Sequence, residues 1–171
     1  MSTRYIVCDT SMLDSYLKIP GKDQHADEVC VRMDELANIS DVLIFLPWAA
    51  VIECGNHIVQ VPDQYSTIIR LKAMKLSGIV QQCLDGESPF SSLGVWDEGQ
   101  LREVLVGYPD NAMRRIGMGD STILSDCKSL CAKLQLRNEQ QIELWTYDED
   151  LKNQFLAQRS TWMVGATGSV I

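Results

Sequence analysis

The stretch Arg4-Tyr5-Ile6-Val7-Cys8-Asp9-Thr10-Ser11 decides how this chain is read. A short apolar run stops abruptly at an acid. It has the length of a buried strand and lacks the polar alternation of a sheet with one wet face, so it predicts a strand covered on both sides. Thr10 or Ser11 can cap the helix that follows, through about Leu17, before Pro20-Gly21 ends it. The same pattern returns at Val42-Leu43-Ile44-Phe45-Leu46, where Pro47 suits the first turn of a helix running to about Val59. Residues 142–147 predict a further strand, followed by a helix from Glu149.

Between these strands the apolar spacing is helical. Val29, Met33, Leu36 and Ala37 lie on one side of residues 24–39, and Ile68, Ile69, Leu76, Ile79, Val80 and Cys83 on one side of 64–85. Ile123, Leu124, Cys127, Leu130, Cys131 and Leu134 give 120–135 the clearest stripe. Residues 86–118 read as an irregular insertion, with a strand expected at Leu93–Trp96 and a helix at Glu98–Val106. The tail 161–171 is expected to add an edge strand. Strands alternating with helices predict an α/β fold, a three-layer α/β/α arrangement around a mainly parallel sheet.

Composition narrows the function classes. The chain has 171 residues, 46% hydrophobic and 22% charged, which suits one domain, 1–171, with its own core. No apolar run approaches the roughly 20 residues that span a bilayer, and none resembles a secretory leader. The expectation is a cytoplasmic protein without membrane contact. The net charge is −8, from 15 Lys and Arg against 23 Asp and Glu. A binder held to nucleic acid by phosphate neutralisation would be basic. Action on nucleic acid would therefore need acids working through cations, plus locally grouped bases. Six cysteines lie in apolar surroundings. Cys54 and His57 have ligand-like spacing, and Cys127 and Cys131 are one helical turn apart. A second Cys-x2-Cys pair is missing, so core packing is expected rather than zinc.

Four acids occupy positions with chemical meaning. Asp9 and Asp148 each follow a strand, where open α/β sheets gather function, although acids there also start turns. Glu53 is the lone acid between Asp41 and Asp63 and sits in an apolar helix, where a carboxylate needs a cation, a donor or a wet cleft. Asp120 opens the helix with the best periodicity, where capping alone would explain it. Asp126 points to another face of that helix and is left out.

In that order and context the acids resemble those of the PIN-domain nucleases, the family that includes the toxin ribonucleases of bacterial toxin–antitoxin pairs. The resemblance rests on Tyr5-Ile6-Val7-Cys8-Asp9-Thr10-Ser11, on Glu53 after the second strand, on Asp120-Ser121, and on Thr146-Tyr147-Asp148-Glu149-Asp150-Leu151. It spans nearly the whole chain, but 86–118 is longer than in compact members and the tail matches no part of the pattern. It implies a metal-dependent endoribonuclease in which Asp9, Glu53, Asp120 and Asp148 hold Mg²⁺ or Mn²⁺, leaving a 5′-phosphate and a 3′-hydroxyl. Such an enzyme can be a toxin or defence nuclease, a homodimer, or held by an antitoxin-like inhibitory protein. Ser11, Ser121 and Asp150 are candidate helpers. Arg102, Arg114 and Arg115 are candidate RNA contacts, with Tyr108 and Trp96 as stacking rings. The alternatives are a non-catalytic module of the same fold that binds RNA or protein, a haloacid-dehalogenase-like phosphatase and a flavodoxin- or response-regulator-like signalling domain. Ser11 stands where the phosphatase needs its second acid. The signalling domain lacks both a glycine-rich phosphate loop and paired acids after the first strand.

Overall fold

A computed structural model describes residues 3–62, 64, 66–94 and 96–165. The described elements run β1 (Arg4–Cys8), α1 (Thr10–Leu17), α2 (Ala26–Ala37), β2 (Val42–Leu46), α3 (Trp48–Val59), α4 (Ser66–Asp85), β3 (Phe90–Ser92), α5 (Glu98–Met113), α6 (Met118–Lys133), β4 (Ile142–Trp145) and α7 (Glu149–Gln158). All strand pairings are parallel, in the order β3-β2-β1-β4. Ile6 pairs with Ile44 on one side, and Tyr5 pairs with Ile142 on the other.

Side chains alternate across each strand, and the two faces build two cores. Ile6, Cys8, Ile44 and Leu46 pack with α1, α2 and α4. Val7, Ile142 and Leu144 pack with α6 and α7, and α3 contributes to both cores. Helices therefore cover both faces, as the apolar strands require. Cys54, Cys127 and Cys131 are buried as small hydrophobes. No helix among the described residues is long and apolar enough to cross a membrane.

Strand order fixes where a site can form. From β1 the chain moves through α1 and α2 to β2, then outward to β3. It returns past α5 and α6 to place β4 on the opposite side of β1. The connections diverge between β1 and β4, which opens a crevice at their carboxyl ends.

Several boundaries differ from the sequence-based expectation. Asp9, rather than Thr10 or Ser11, caps α1, with its carboxylate accepting from Ser11 N. β4 stops at Trp145, whose carbonyl accepts from Asp9 N, and the Thr146 hydroxyl beyond it bonds into the crevice. The third strand is Phe90–Ser92. Leu93, Gly94 and Trp96 lie outside any strand, and residue 95 is not among the described residues. α5 continues to Met113, held at its start by an Asp97–Gln100 capping box. Most of 86–118 is therefore regular. Leu134 ends the α6 stripe 39% exposed. Residues 161–165 form the end of a short 3₁₀ turn and a bend, with Met163 buried against α6 and α7, and the rest of the expected edge strand falls outside the described residues.

Candidate functional site

Asp9 is the buried centre of the crevice, 3% exposed. Its Oδ2 accepts from Ser11 Oγ at 2.7 Å, Thr146 Oγ1 at 2.7 Å and Ser11 N at 3.3 Å. These bonds use one carboxylate oxygen and leave Oδ1 without a partner among the described residues. Thr146 is the bridge across the switch point. Its hydroxyl donates to Asp9 while accepting from Asp148 N at 2.9 Å. Ser11 Oγ accepts from Tyr147 N at 2.9 Å. Two hydroxyls thus tie the loop after β1 to the loop after β4.

Asp148 caps α7 through its Oδ1, which accepts from Leu151 N at 2.9 Å. Glu53 projects from α3, where Thr10 Oγ1 donates to its Oε2 at 2.9 Å. Asp120 lies in the first turn of α6, beside Glu53. The approach is close: a Cβ on Gly119 would meet Glu53 Oε2 at 3.3 Å, so any side chain there would press on Glu53. Gly117 occupies the cap position of α6, and Asp120 lies three residues on, with Oδ2 accepting from Gly117 N at 3.3 Å. The expected capping role of Asp120 is corrected accordingly: it reaches back to the helix start rather than standing at it.

The four acids expected from sequence, Asp9, Glu53, Asp120 and Asp148, line one cavity of about 340 Å³ at the carboxyl end of the sheet. Their charges interact. Desolvation, followed by the charges of Asp9, Glu53 and Asp148, pushes the Asp120 carboxyl up to about 6, while the Gly117 hydrogen bond pulls the other way. Three of the four stand at helix starts, where the helix dipole favours negative charge.

The helper residues divide. Ser11 lines the cavity and orients Asp9. Ser121 does not line it. Ser121 Oγ donates to Gly117 O and accepts from Asn111 Nδ2, which ties α6 to α5. Asp150 is exposed in α7 and lies outside the cavity lining. The expected RNA contacts are also displaced. Arg102 pairs with Glu98 on exposed α5, and Arg114 and Arg115 are exposed on the connection to α6, away from the acid-lined cavity. Lys22, Gln24, His25 and His57 line that cavity instead. The sequence holds two histidines in all, and both are there. His25 stacks on Tyr147 with ring centroids 3.8 Å apart.

A second cavity of about 610 Å³ adjoins the first and shares Glu53 and Asp120 with it. Its walls are largely apolar and include Ile52, Trp96, Leu101, Val104 and Leu105. Trp96 Nε1 donates to Asp126 at 3.2 Å, which fixes the ring in this wall. Burial pushes the Asp126 carboxyl up to about 6, and the Trp96 bond lowers it. Tyr108 lines neither cavity.

The acid-lined cavity offers carboxylate and hydroxyl oxygens, a hard donor set that suits Mg²⁺ or Mn²⁺. Among the described residues, no group of three or more His, Cys, Asp or Glu side chains already stands placed to hold a metal ion. A cation would have to draw the carboxylates inward, keeping or exchanging the hydrogen bonds that now hold them, in relief of their mutual repulsion. Set beside known proteins, the chain matches no family model, no curated protein and no solved structure.

Proposed function

We propose that this chain is a divalent-metal-dependent ribonuclease that hydrolyses RNA phosphodiester bonds in the acid-lined cleft. The observation that carries the reading is the convergence of Asp9, Glu53, Asp120 and Asp148 on one cavity at the switch point, where burial first and the charges of the other three second raise the Asp120 pKa. Four carboxylates lining one cleft repel one another and an RNA phosphate. Their gathering makes chemical sense when cations occupy the space between them. When bound, Mg²⁺ or Mn²⁺ supplies neutralisation of the phosphate charge and acidification of a ligated water.

The remaining work falls to the chain. Ser11 and Thr146 hold Asp9 in one rotamer by engaging Oδ2, so Oδ1 is the oxygen free to ligate. Thr10 does the same for Glu53. Lys22 lines the same cavity and brings a positive charge on which a flanking phosphate can rest. The adjoining apolar groove offers flat surface to a base.

The test is cleavage of single-stranded or loop RNA. Activity should require Mg²⁺ or Mn²⁺, stop in chelator, and fall at least about a hundredfold in Asp9→Asn and Asp120→Asn, the scale expected when several kcal/mol of transition-state stabilisation are lost. Full activity in chelator would remove the reading. A second reading, a non-catalytic RNA- or protein-binding module, would use the largely apolar groove beside the acids. Metal-dependent cleavage that is lost in both variants rejects it.

A further inference from the structure

Helices α1 and α3 are joined by two parallel polar rungs. Thr10 reaches Glu53, and one turn further along Asp14 reaches His57, with Asp14 Oδ2 and His57 Nδ1 2.6 Å apart. Residues four apart share one helix face. Glu53 and His57 therefore look into the same cavity from successive turns, and both line it.

The second rung is unlike an ordinary surface pair. Asp14 is 2% exposed, its Oδ1 is buried without a hydrogen-bond partner, and the side chain of His57 is 15% exposed. A carboxylate is costly to bury and is retained here against the Cys54 thiol and one side of an imidazole. Nδ1 is committed to Asp14. Nε2, with no partner among the described residues, is the nitrogen left to the cavity. The groups sharing that cavity with the ring are Lys22 and His25 from the α1–α2 connection, Glu53 from its own helix, Asp9 and Asp120, and Tyr147 and Asp148 beyond β4. α4, which also packs on α3, adds none.

We propose that His57, positioned by Asp14, is the general acid that protonates the leaving oxygen of the RNA cleaved in this cleft. This rests on the ribonuclease reading. As the water oxygen bonds to phosphorus, the bond from phosphorus to the 3′-oxygen breaks. The proton on Nε2 passes to that 3′-oxygen, and the proton given up by the attacking water restores the imidazolium. Asp14 keeps a proton on Nδ1 through the cycle, as a carboxylate does for an imidazole whose other nitrogen works.

The test combines a leaving-group experiment with a spectroscopic one. His57→Asn retains an amide donor where Nδ1 stood and so keeps buried Asp14 paired, while deleting Nε2. With Mg²⁺ and an ordinary RNA, kcat should fall about a hundredfold or more with KM unchanged, the range of a lost general acid. An RNA whose scissile linkage carries a bridging 3′-sulfur leaves as a thiolate and needs no acid, so on it the variant should match wild type. Asp14→Asn should show a smaller loss of kcat with the same rescue. Nitrogen-15 spectra of the metal-free protein, assigned by the loss of one of two histidine signals in the variant, should show the neutral ring of His57 protonated on Nδ1. A proton on Nε2 instead, or a variant equally slow on both linkages, or one as fast as wild type on ordinary RNA, overturns the assignment while leaving the ribonuclease reading intact. No cleavage by wild type with either metal removes both.

Discussion

Asp120 shows how a residue can satisfy local structure and still be held at a cost. Its bond to Gly117 N secures the start of α6, yet desolvation and three neighbouring acids raise its pKa from 3.8 to about 6. A carboxyl whose folded pKa is raised contributes stability that is complete below about pH 4 and is lost as the pH rises through about 6. Asp120→Asn keeps an oxygen for Gly117 N and carries no charge. The metal-free variant is expected to melt at the same temperature as wild type or higher at pH 7, with the gap closing as the pH falls towards 4. Adding Mg²⁺ or Mn²⁺ should raise the wild-type midpoint by mass action and the variant's clearly less. Thermal melts across pH and metal concentration read both effects. Equal metal shifts in the two proteins would mean that these acids share no cation.

At the scale of elements, the approach of α6 to α3 is set by Gly119. The 3.3 Å between its would-be Cβ and Glu53 Oε2 is tight, but the obstacle is the end of a flexible side chain. Ala is also the better helix former, by about 0.5–1 kcal/mol. Gly119→Ala is therefore expected to leave the melting temperature unchanged or slightly raised, while Glu53 gives way by a few tenths of an ångström. Cleavage should fall roughly tenfold, below the hundredfold that a full 1 Å misplacement can cost. Parallel melting and rate measurements check this. Loss of stability in step with activity would mean that Gly119 serves packing alone. α5 illustrates the opposite relation of element to function. Its sequence reads as part of an irregular insertion, yet the helix runs to Met113 and holds Arg102 against Glu98, outside the acid-lined cavity.

Across the whole molecule, charge is distributed unevenly around a net of −8. Asp9, Asp14, Glu53, Asp120 and Asp148 line the cleft, and the lysine in its wall is Lys22, beside the two histidines. RNA held in the cleft should therefore depend on Lys22 more than on the exposed pair at 114 and 115. Lys22→Ala is expected to weaken RNA binding and to reduce the slope of log affinity against log salt by about 1, the change for one lost phosphate contact. The double change Arg114→Ala with Arg115→Ala should leave that slope nearly unaltered. Binding titrations across salt concentrations separate the two. A larger effect from the arginine pair would place the RNA path over the α5–α6 connection.

What the sequence by itself determined was whatever short-range physics governs. Apolar runs of strand length fixed β1, β2 and, apart from its last two residues, β4, and helical spacing fixed the cores of α2, α4 and α6. An acid at the end of a strand or inside an apolar helix marked Asp9, Glu53 and Asp148, and Asp120 stood out by its place before the strongest stripe. Other features depended on partners distant in the chain, and the tertiary structure decided them. Thr146 lies just past the end of β4, where its hydroxyl donates to Asp9, remote in the chain, and accepts from Asp148 N. Asp14 is legible as an acid in a short helix, but its rung to His57 exists only because α1 packs on α3 in one register. The basic wall of the cleft could not be read from clustered arginines, since proximity in sequence says nothing of which side of a helix faces the sheet's open end. The crevice itself arises from β4 pairing with β1 on the side opposite β2. That choice is made by burying the apolar faces of α6 and α7 together, a cooperative packing requirement that no single segment carries.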